Sequence, residues 1–456
     1  MIAQLVERYA NNAPAALMFH GLFARLFSDE ALDEIFAKNR DRQVESPLLF
    51  SYLVGLLAPV VSGSKPSVNA SHQASDSKVS RQAVYDKLKG IEPLVSAALV
   101  RSTVGELKRI QGKASVCKND IVPGFHTFIV DGKTYDATQH RLMESRSDSR
   151  CPLPGRAIAI LDTRYELFVD IECDANAHRC ERKILTPMFD RLEKGGLYIL
   201  DRNFSDGDII SRFLGAGAFF LIRQHGVSPG WREIPGEKRV AIKHSNLHGG
   251  QISQQKVEVL LPDGSWFKVR RVTIKLKKET RDGDTTLHFL TNLPARVAAT
   301  TITRAYRTRW KIETCLGHLS QSLNAEINTL CYPGAAGLCF CLGLTLFNMM
   351  STLKAMLQAY GKYPDPKKPF GLSYYYVAHE IAEHHAGLTI AFNKAYWKRF
   401  ASMTLADFTQ WLKSIAKNAE LKRYRKHPRG PKEPPPKRSF SGSRHTATQK
   451  ILDARK

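Results

Sequence analysis

Apolar residues recur at helical spacing near the N-terminus, through Leu17, Phe19, Leu22, Phe23, Leu26 and Phe27, and again from Leu48 to Leu57. Residues 1–115 are therefore expected to be helical. A Ser-rich polar stretch, residues 62–80, interrupts them and reads as an exposed loop. Ser80 then opens a short run, Ser80-Arg81-Gln82-Ala83-Val84-Tyr85-Asp86-Lys87-Leu88-Lys89, that has a Ser cap and a basic outer face. Such a helix suits either the recognition element of a helix-turn-helix or an ordinary amphipathic surface.

From about residue 125 the pattern turns to strands. Phe128-Ile129-Val130-Asp131 is an apolar run ending in an acid, and Arg156 to Asp162 and Leu167 to Ile171 are two more strands. A charged helix is expected over residues 181–192, closed by Gly195-Gly196. Leu197-Tyr198-Ile199-Leu200-Asp201 is again a strand ending in an acid, and a short helix and the strand Ala218 to Ile222 follow. This order predicts a mixed α/β sheet. Residues 223–290 break the rhythm with Gly pairs, an Asp263-Gly264 turn and alternating strands such as Trp266 to Val272, and read as a β-rich insertion. Helix is expected from Val297 to about Gln358.

Composition sharpens the picture in one respect. Hydrophobic and charged shares of 43% and 24% are ordinary for a globular chain of 456 residues, but the net charge is +24. Such an excess favours a polyanionic partner, through counterion release from phosphates; a membrane surface or a ribosome would attract it too. The segment from Lys417 to Lys456 holds 13 Lys or Arg against three acids, with several Pro runs, and is expected to be a disordered basic tail. The eight cysteines form no paired C-x-x-C set and are expected to be reduced thiols. The N-terminus is charged too early for a signal peptide. The apolar stretch Ala335 to Met350 falls short of the ~20 residues a bilayer needs and reads as a buried core helix, so the protein is expected to be soluble.

Asp131 and Asp201, at the ends of apolar strands, could present paired carboxylates to divalent ions, although an Asp after a strand is often only a cap. Asp136 is the lesser alternative to Asp131, since it follows Lys133-Thr134-Tyr135 and not a buried run. Downstream, Tyr306, Arg309 and Glu313 are spaced by three and four positions and share one face of an expected helix. An exposed helix with an Arg–Glu pair has the same spacing. His178, Cys180 and Glu181 read as a charged loop leading into a helix, Cys315 and His318 as too few ligands for zinc, and Trp266 as a core residue that could alternatively stack on an unpaired base.

The run Tyr306-x-x-Arg309-x-x-x-Glu313 resembles the Tyr-Arg-Glu-Lys signature of the insertion sequence 4 family of DDE transposases. Val130-Asp131-Gly132, Leu200-Asp201-Arg202-Asn203-Phe204 and Leu290-Thr291-Asn292-Leu293-Pro294 resemble the same branch, over roughly residues 125–355. The resemblance implies a ribonuclease H-like catalytic core. It implies that Asp131, Asp201 and Glu313 are the catalytic residues and hold Mg²⁺, for which Mn²⁺ would substitute. Tyr306 and Arg309 would contact DNA near the element end, with Arg202 and Trp310 as further candidate contacts. The family's Lys, seven positions after the Glu, is Ser320 here.

The expected organisation is a helical DNA-binding region (1–115), a ribonuclease H-like domain (116–365) interrupted by the β-rich insertion (223–290), a C-terminal helical region (366–416) and the basic tail (417–456). The expected activity is cut-and-paste transposition in the bacterial cytosol or nucleoid. It would act on double-stranded DNA at transposon ends and target, by a homodimer that holds two ends together. The rivals are a silent DNA-binding regulator derived from a transposase and a Mg²⁺-dependent nuclease that never joins strands.

Overall fold

The computed structural model describes residues 2–43, 48–75, 77–147, 149–242, 250–280, 283–427, 430 and 445–454. The chain opens with helices α1 (Ile2–Asn12), α2 (Pro14–Leu26), α3 (Asp29–Asn39), α4 (Phe50–Val61), α5 (Val68–Gln73), α6 (Arg81–Lys89) and α7 (Pro93–Ala114). Serine hydroxyls start three of them: Ser28, Ser67 and Ser80 accept from the backbone N–H groups of Ala31, Ala70 and Ala83. The Ser67 cap corrects the sequence reading, because it nucleates α5 inside the expected loop and buries Val68 and Ser71. In α6, Val84 and Leu88 face the core.

The strands are β1 (Thr127–Thr134), β2 (Cys151–Leu153), β3 (Arg156–Asp162) and β4 (Leu167–Asp174). After helix α8 (Glu181–Leu185) come β5 (Leu197–Leu200), helix α9 (Gly207–Gly215) and β6 (Phe219–Arg223). The expected helix over 181–192 stops at Leu185 and continues as a 3₁₀ stretch, Thr186–Arg191, because Pro187 has no N–H to extend an α-helix. Then follow β7 (Trp231–Glu233), β8 (Val240–Ala241), β9 (Gly250–Leu260), β10 (Trp266–Leu276) and β11 (Thr286–Thr291).

Apart from β2, these strands form one ten-stranded sheet in the order β4-β3-β1-β5-β6-β11-β10-β9-β7, with β8 beside β9. The pairs β4–β3 and β3–β1 are antiparallel, and β1–β5 and β5–β6 are parallel. An antiparallel trio continued by two parallel strands is the ribonuclease H-like arrangement. The β-rich stretch after β6 extends this same sheet, since β11 pairs with β6.

The chain then runs through α10 (Ala299–Arg307), α11 (Trp310–Gln321), α12 (Pro333–Tyr360), α13 (Tyr374–Ala391), α14 (Lys394–Ser402) and α15 (Leu405–Asn418). The single long helix expected from Val297 is thus three, broken after Arg307 and again before Pro333. Helix α12 is long and apolar enough to cross a bilayer, but 94% of its apolar window is buried inside the protein. It packs on α7 and β4 as the central core helix.

The tail also differs from expectation. Leu421 and Tyr424 are buried, and the Tyr424 hydroxyl donates to Glu380 at 2.6 Å. Strand β12 (His445–Ala447) pairs with β2, followed by helix α16 (Thr448–Asp453). The Pro-rich centre, residues 431–444, lies outside the described residues.

Alternation along the strands builds two apolar layers. Ile129, Ala159, Leu161, Ile199 and Leu221 join the large core with α7, α11 and α12. Phe128, Val130, Ile158, Ile160, Tyr198 and Leu200 point the other way, onto α8 and α9. Burial on both faces is why these strands read as unbroken apolar runs.

Candidate active site

Strands β1 and β5 are parallel neighbours in the register Ile129↔Ile199. Asp131 and Asp201 each lie two residues further on, so they stand level, on the face that Ile129 and Ile199 turn to the large core. Asp131 is not at a strand end, as the sequence suggested, for β1 continues to Thr134 alongside β3. Its pairing with β5, however, stops at Ile129, which opens the sheet beside it. Asp201 follows the last residue of β5, and its Oδ1 accepts from the Asn203 N–H at 2.8 Å.

Helix α11 packs on that same face through Ile312, Leu316 and Leu319 and brings Glu313 towards β1. Arg309, just before α11, ties the two together: its guanidinium donates to Asp131 Oδ2 at 3.2 Å and to Glu313 Oε1 at 2.5 Å. Burial pushes the Asp131 carboxyl up to about 7; Arg309 works against this, while Asp201 and Glu313 add to it. Burial also raises Asp201, against the Asn203 N–H, Arg309 and Arg202. The three acids therefore share one field.

The expected DNA contacts divide by exposure. Arg309 is only 11% exposed and engaged with the two acids. Tyr306 is half-buried with its ring against Phe289, and burial pushes its hydroxyl up to about 12. Trp310 is 62% exposed and lies under the Arg309 guanidinium. Arg202 borders a cavity of about 460 Å³ beside Asp201, together with Arg156, Glu181, Arg182, Asn203 and His225. Trp266 is an exposed rim residue with Arg232 stacked on its ring at 4.1 Å, not a core one.

One residue that the sequence reading set aside, as part of a charged loop leading into a helix, takes part here. The Glu181 carboxylate, at the start of α8, lies against Gly132 and pairs with Arg156, and Asn203 donates to it at 3.4 Å. It joins the residue after Asp131 to the turn after Asp201. The signal that could have found it is the glycine directly after Asp131, a position where something else must come close.

Hard carboxylate oxygens are the right donors for a divalent ion such as Mg²⁺. The mutual repulsion at Asp131 is what a cation would relieve. As the side chains stand, Arg309 supplies that positive charge, and among the described residues no group of three or more His, Cys, Asp or Glu is arranged to hold a metal ion.

Residues 124–337 match the family model described as the transposase DDE domain, and this match supports a DDE transposase. No curated protein matches the chain. Among solved structures, a cryo-EM structure of the piggyBac transposase synaptic complex with hairpin DNA matches at 11% identity with a TM-score of 0.37, over 87% of this chain and 86% of that one.

Proposed function

We propose that the protein is a cut-and-paste transposase of the Tyr-Arg-Glu branch of the insertion sequence 4 family, acting with Mg²⁺ on the ends of its own element. The observation that carries this reading is the level placement of Asp131 and Asp201 on adjacent parallel strands, with Glu313 joined to Asp131 through Arg309. Asp131, Asp201 and Glu313 would hold the ions once Arg309 releases a carboxylate. Divalent ions held there would supply the activation of a water or 3′-hydroxyl and the charge that stabilises a leaving oxygen in phosphoryl transfer.

The chain's own residues supply the rest. Asn203 fixes the Asp201 carboxylate through its N–H, and Glu181 fixes Asn203. Arg309, freed from Glu313 or Asp131, would turn to the scissile phosphate, so one guanidinium serves as internal counterion before DNA arrives and as phosphate ligand afterwards. Exposed Trp310 offers a flat apolar surface beside it. A homodimer would hold two element ends in one complex.

Strand transfer with precut element ends tests the reading against its nuclease rival. The protein should join the 3′-hydroxyl ends to target duplex in Mg²⁺ or Mn²⁺. Hydrolysis of intact ends with no joining of precut ends would favour a nuclease.

A further inference from the structure

Behind the signature helix, one carboxylate gathers three ammonium groups. Glu166 sits in the tight turn between β3 and β4 with φ +56°, and its side chain is 10% exposed. Lys118, from the link between α7 and β1, pairs closely with it. Lys311 of α11 reaches its Oε2 at 3.2 Å, and Lys354 of α12 its Oε1 at 3.5 Å. The Tyr374 hydroxyl, from α13, donates to the same Oε1 at 2.8 Å, and Lys354 lies 4.0 Å from the centre of the Tyr374 ring.

The charges do not balance. Among the described residues no second carboxylate reaches any of the three lysines within ion-pair distance. The nearby Asp162 is held by Lys108 and His126, and Asp120 by Arg164. Lys426 adds further positive field on Lys354. Burial, followed by repulsion from its neighbours, draws Lys118 down to about 7, and burial draws Lys354 down to about 8. Three amino groups from separate segments are pressed together around a single carboxylate.

We propose that Lys118, backed by Lys311 and Lys354 around Glu166, binds a phosphate group. The depression between Lys118, Lys354, Glu166 and Tyr374 has a volume of only about 10 Å³, room for one water. The phosphate therefore lies at the mouth, against Lys118, half of whose side chain is exposed. Its source is either a phosphodiester of bound DNA or free inorganic phosphate. Lys311 lies two positions before Glu313 on α11, and its ammonium pairs with Glu166.

The test compares full-length wild type with Lys118→Ala and Lys118→Arg in two experiments. The first is thermal unfolding in inorganic phosphate against chloride at equal ionic strength. The second is duplex DNA binding across a salt series. Phosphate should raise the unfolding midpoint of wild type and Lys118→Arg but not of Lys118→Ala, or the slope of log affinity against log salt should become shallower by roughly one in Lys118→Ala. A phosphate response alone assigns the free anion, and a slope change alone assigns the DNA backbone. Either supports the site, and neither readout involves cleavage, so a failure of the catalytic reading would be seen separately, in the strand-transfer assay. Identical responses of wild type and Lys118→Ala in both experiments would overturn the proposal.

Discussion

The carboxylate of Glu181 lies so close to Gly132 that a β-carbon there would collide with its Oε1. Because the obstructing atom is the end of a flexible side chain, Gly132→Ala should fold but push Glu181 away from Arg156 and Asn203. The expected cost is about 1 kcal/mol of stability. DNA cleavage should fall further than DNA binding, since the displaced group steadies the turn after Asp201. Unfolding curves alongside cleavage and binding assays check this, and equal loss in all three would assign Gly132 to the fold alone.

His126 gives the fold a pH signature. Its Nε2 meets Asp162 Oδ1 and its Nδ1 meets Glu193 Oε1, each at 2.9 Å. Burial opposes its charge, but the two carboxylates outweigh that and raise its pKa. A raised folded value means that this contribution is complete below the unfolded pKa of about 6.5 and is lost as pH rises through the folded value. His126→Gln should therefore cost roughly 1.5–3 kcal/mol in urea unfolding at pH 5.5, with a smaller difference from wild type at pH 9. A pH-independent difference would show that the charge plays no part.

Asn348 completes the edge of the sheet from within the core helix. Its Oδ1 accepts from the Phe168 N–H at 2.7 Å and its Nδ2 donates to the Phe168 carbonyl at 2.8 Å, both fully buried. Asn348→Leu would match the apolar surroundings yet leave two backbone groups of β4 unpaired, at an expected cost of about 2–4 kcal/mol. Chemical denaturation measures it, and a neutral or stabilising effect would contradict the assignment.

The tail should act as two separate parts. Replacing Lys432, Lys437, Arg438 and Arg444 by Gln should flatten the salt dependence of DNA affinity for element ends and random duplex alike. Deleting everything from Lys417 should in addition destabilise the fold. Glu380, which accepts from the Ala15 and Ala16 N–H groups, would lose the Tyr424 hydroxyl and the Arg423 guanidinium. Unfolding and binding of the two variants separate these effects.

How far the sequence carried the account follows from what each signal depends on. Period-two and period-3.6 patterns are local, so β1, β3, β5, β6 and the N-terminal helices were legible. The spacing of Tyr306, Arg309 and Glu313 shows that they share one helical neighbourhood. It does not show that Arg309 would turn inward to Asp131, 178 positions away, because that contact depends on how α11 seats on the sheet. Glu181 was lost for the same reason, as its neighbours Gly132, Arg156 and Asn203 come from three different segments. Composition misled in the tail, where abundant Lys, Arg and Pro hid Leu421 and Tyr424, and in residues 62–80, where serines read as loop while Ser67 capped a helix.

On the proposed reading, Asp201 serves chemistry at a site it shares with Asp131 and Glu313. Asn can keep the hydrogen bond from the Asn203 N–H while removing the charge, so Asp201→Asn isolates the carboxylate from the fold. The decisive measurement is cleavage and binding of element-end duplex by wild type and Asp201→Asn in Mg²⁺. Cleavage should fall by roughly 10²–10³-fold or more, with end affinity within about twofold of wild type and an unchanged unfolding midpoint. Undiminished cleavage, or cleavage and binding lost together with the fold, would contradict the assignment.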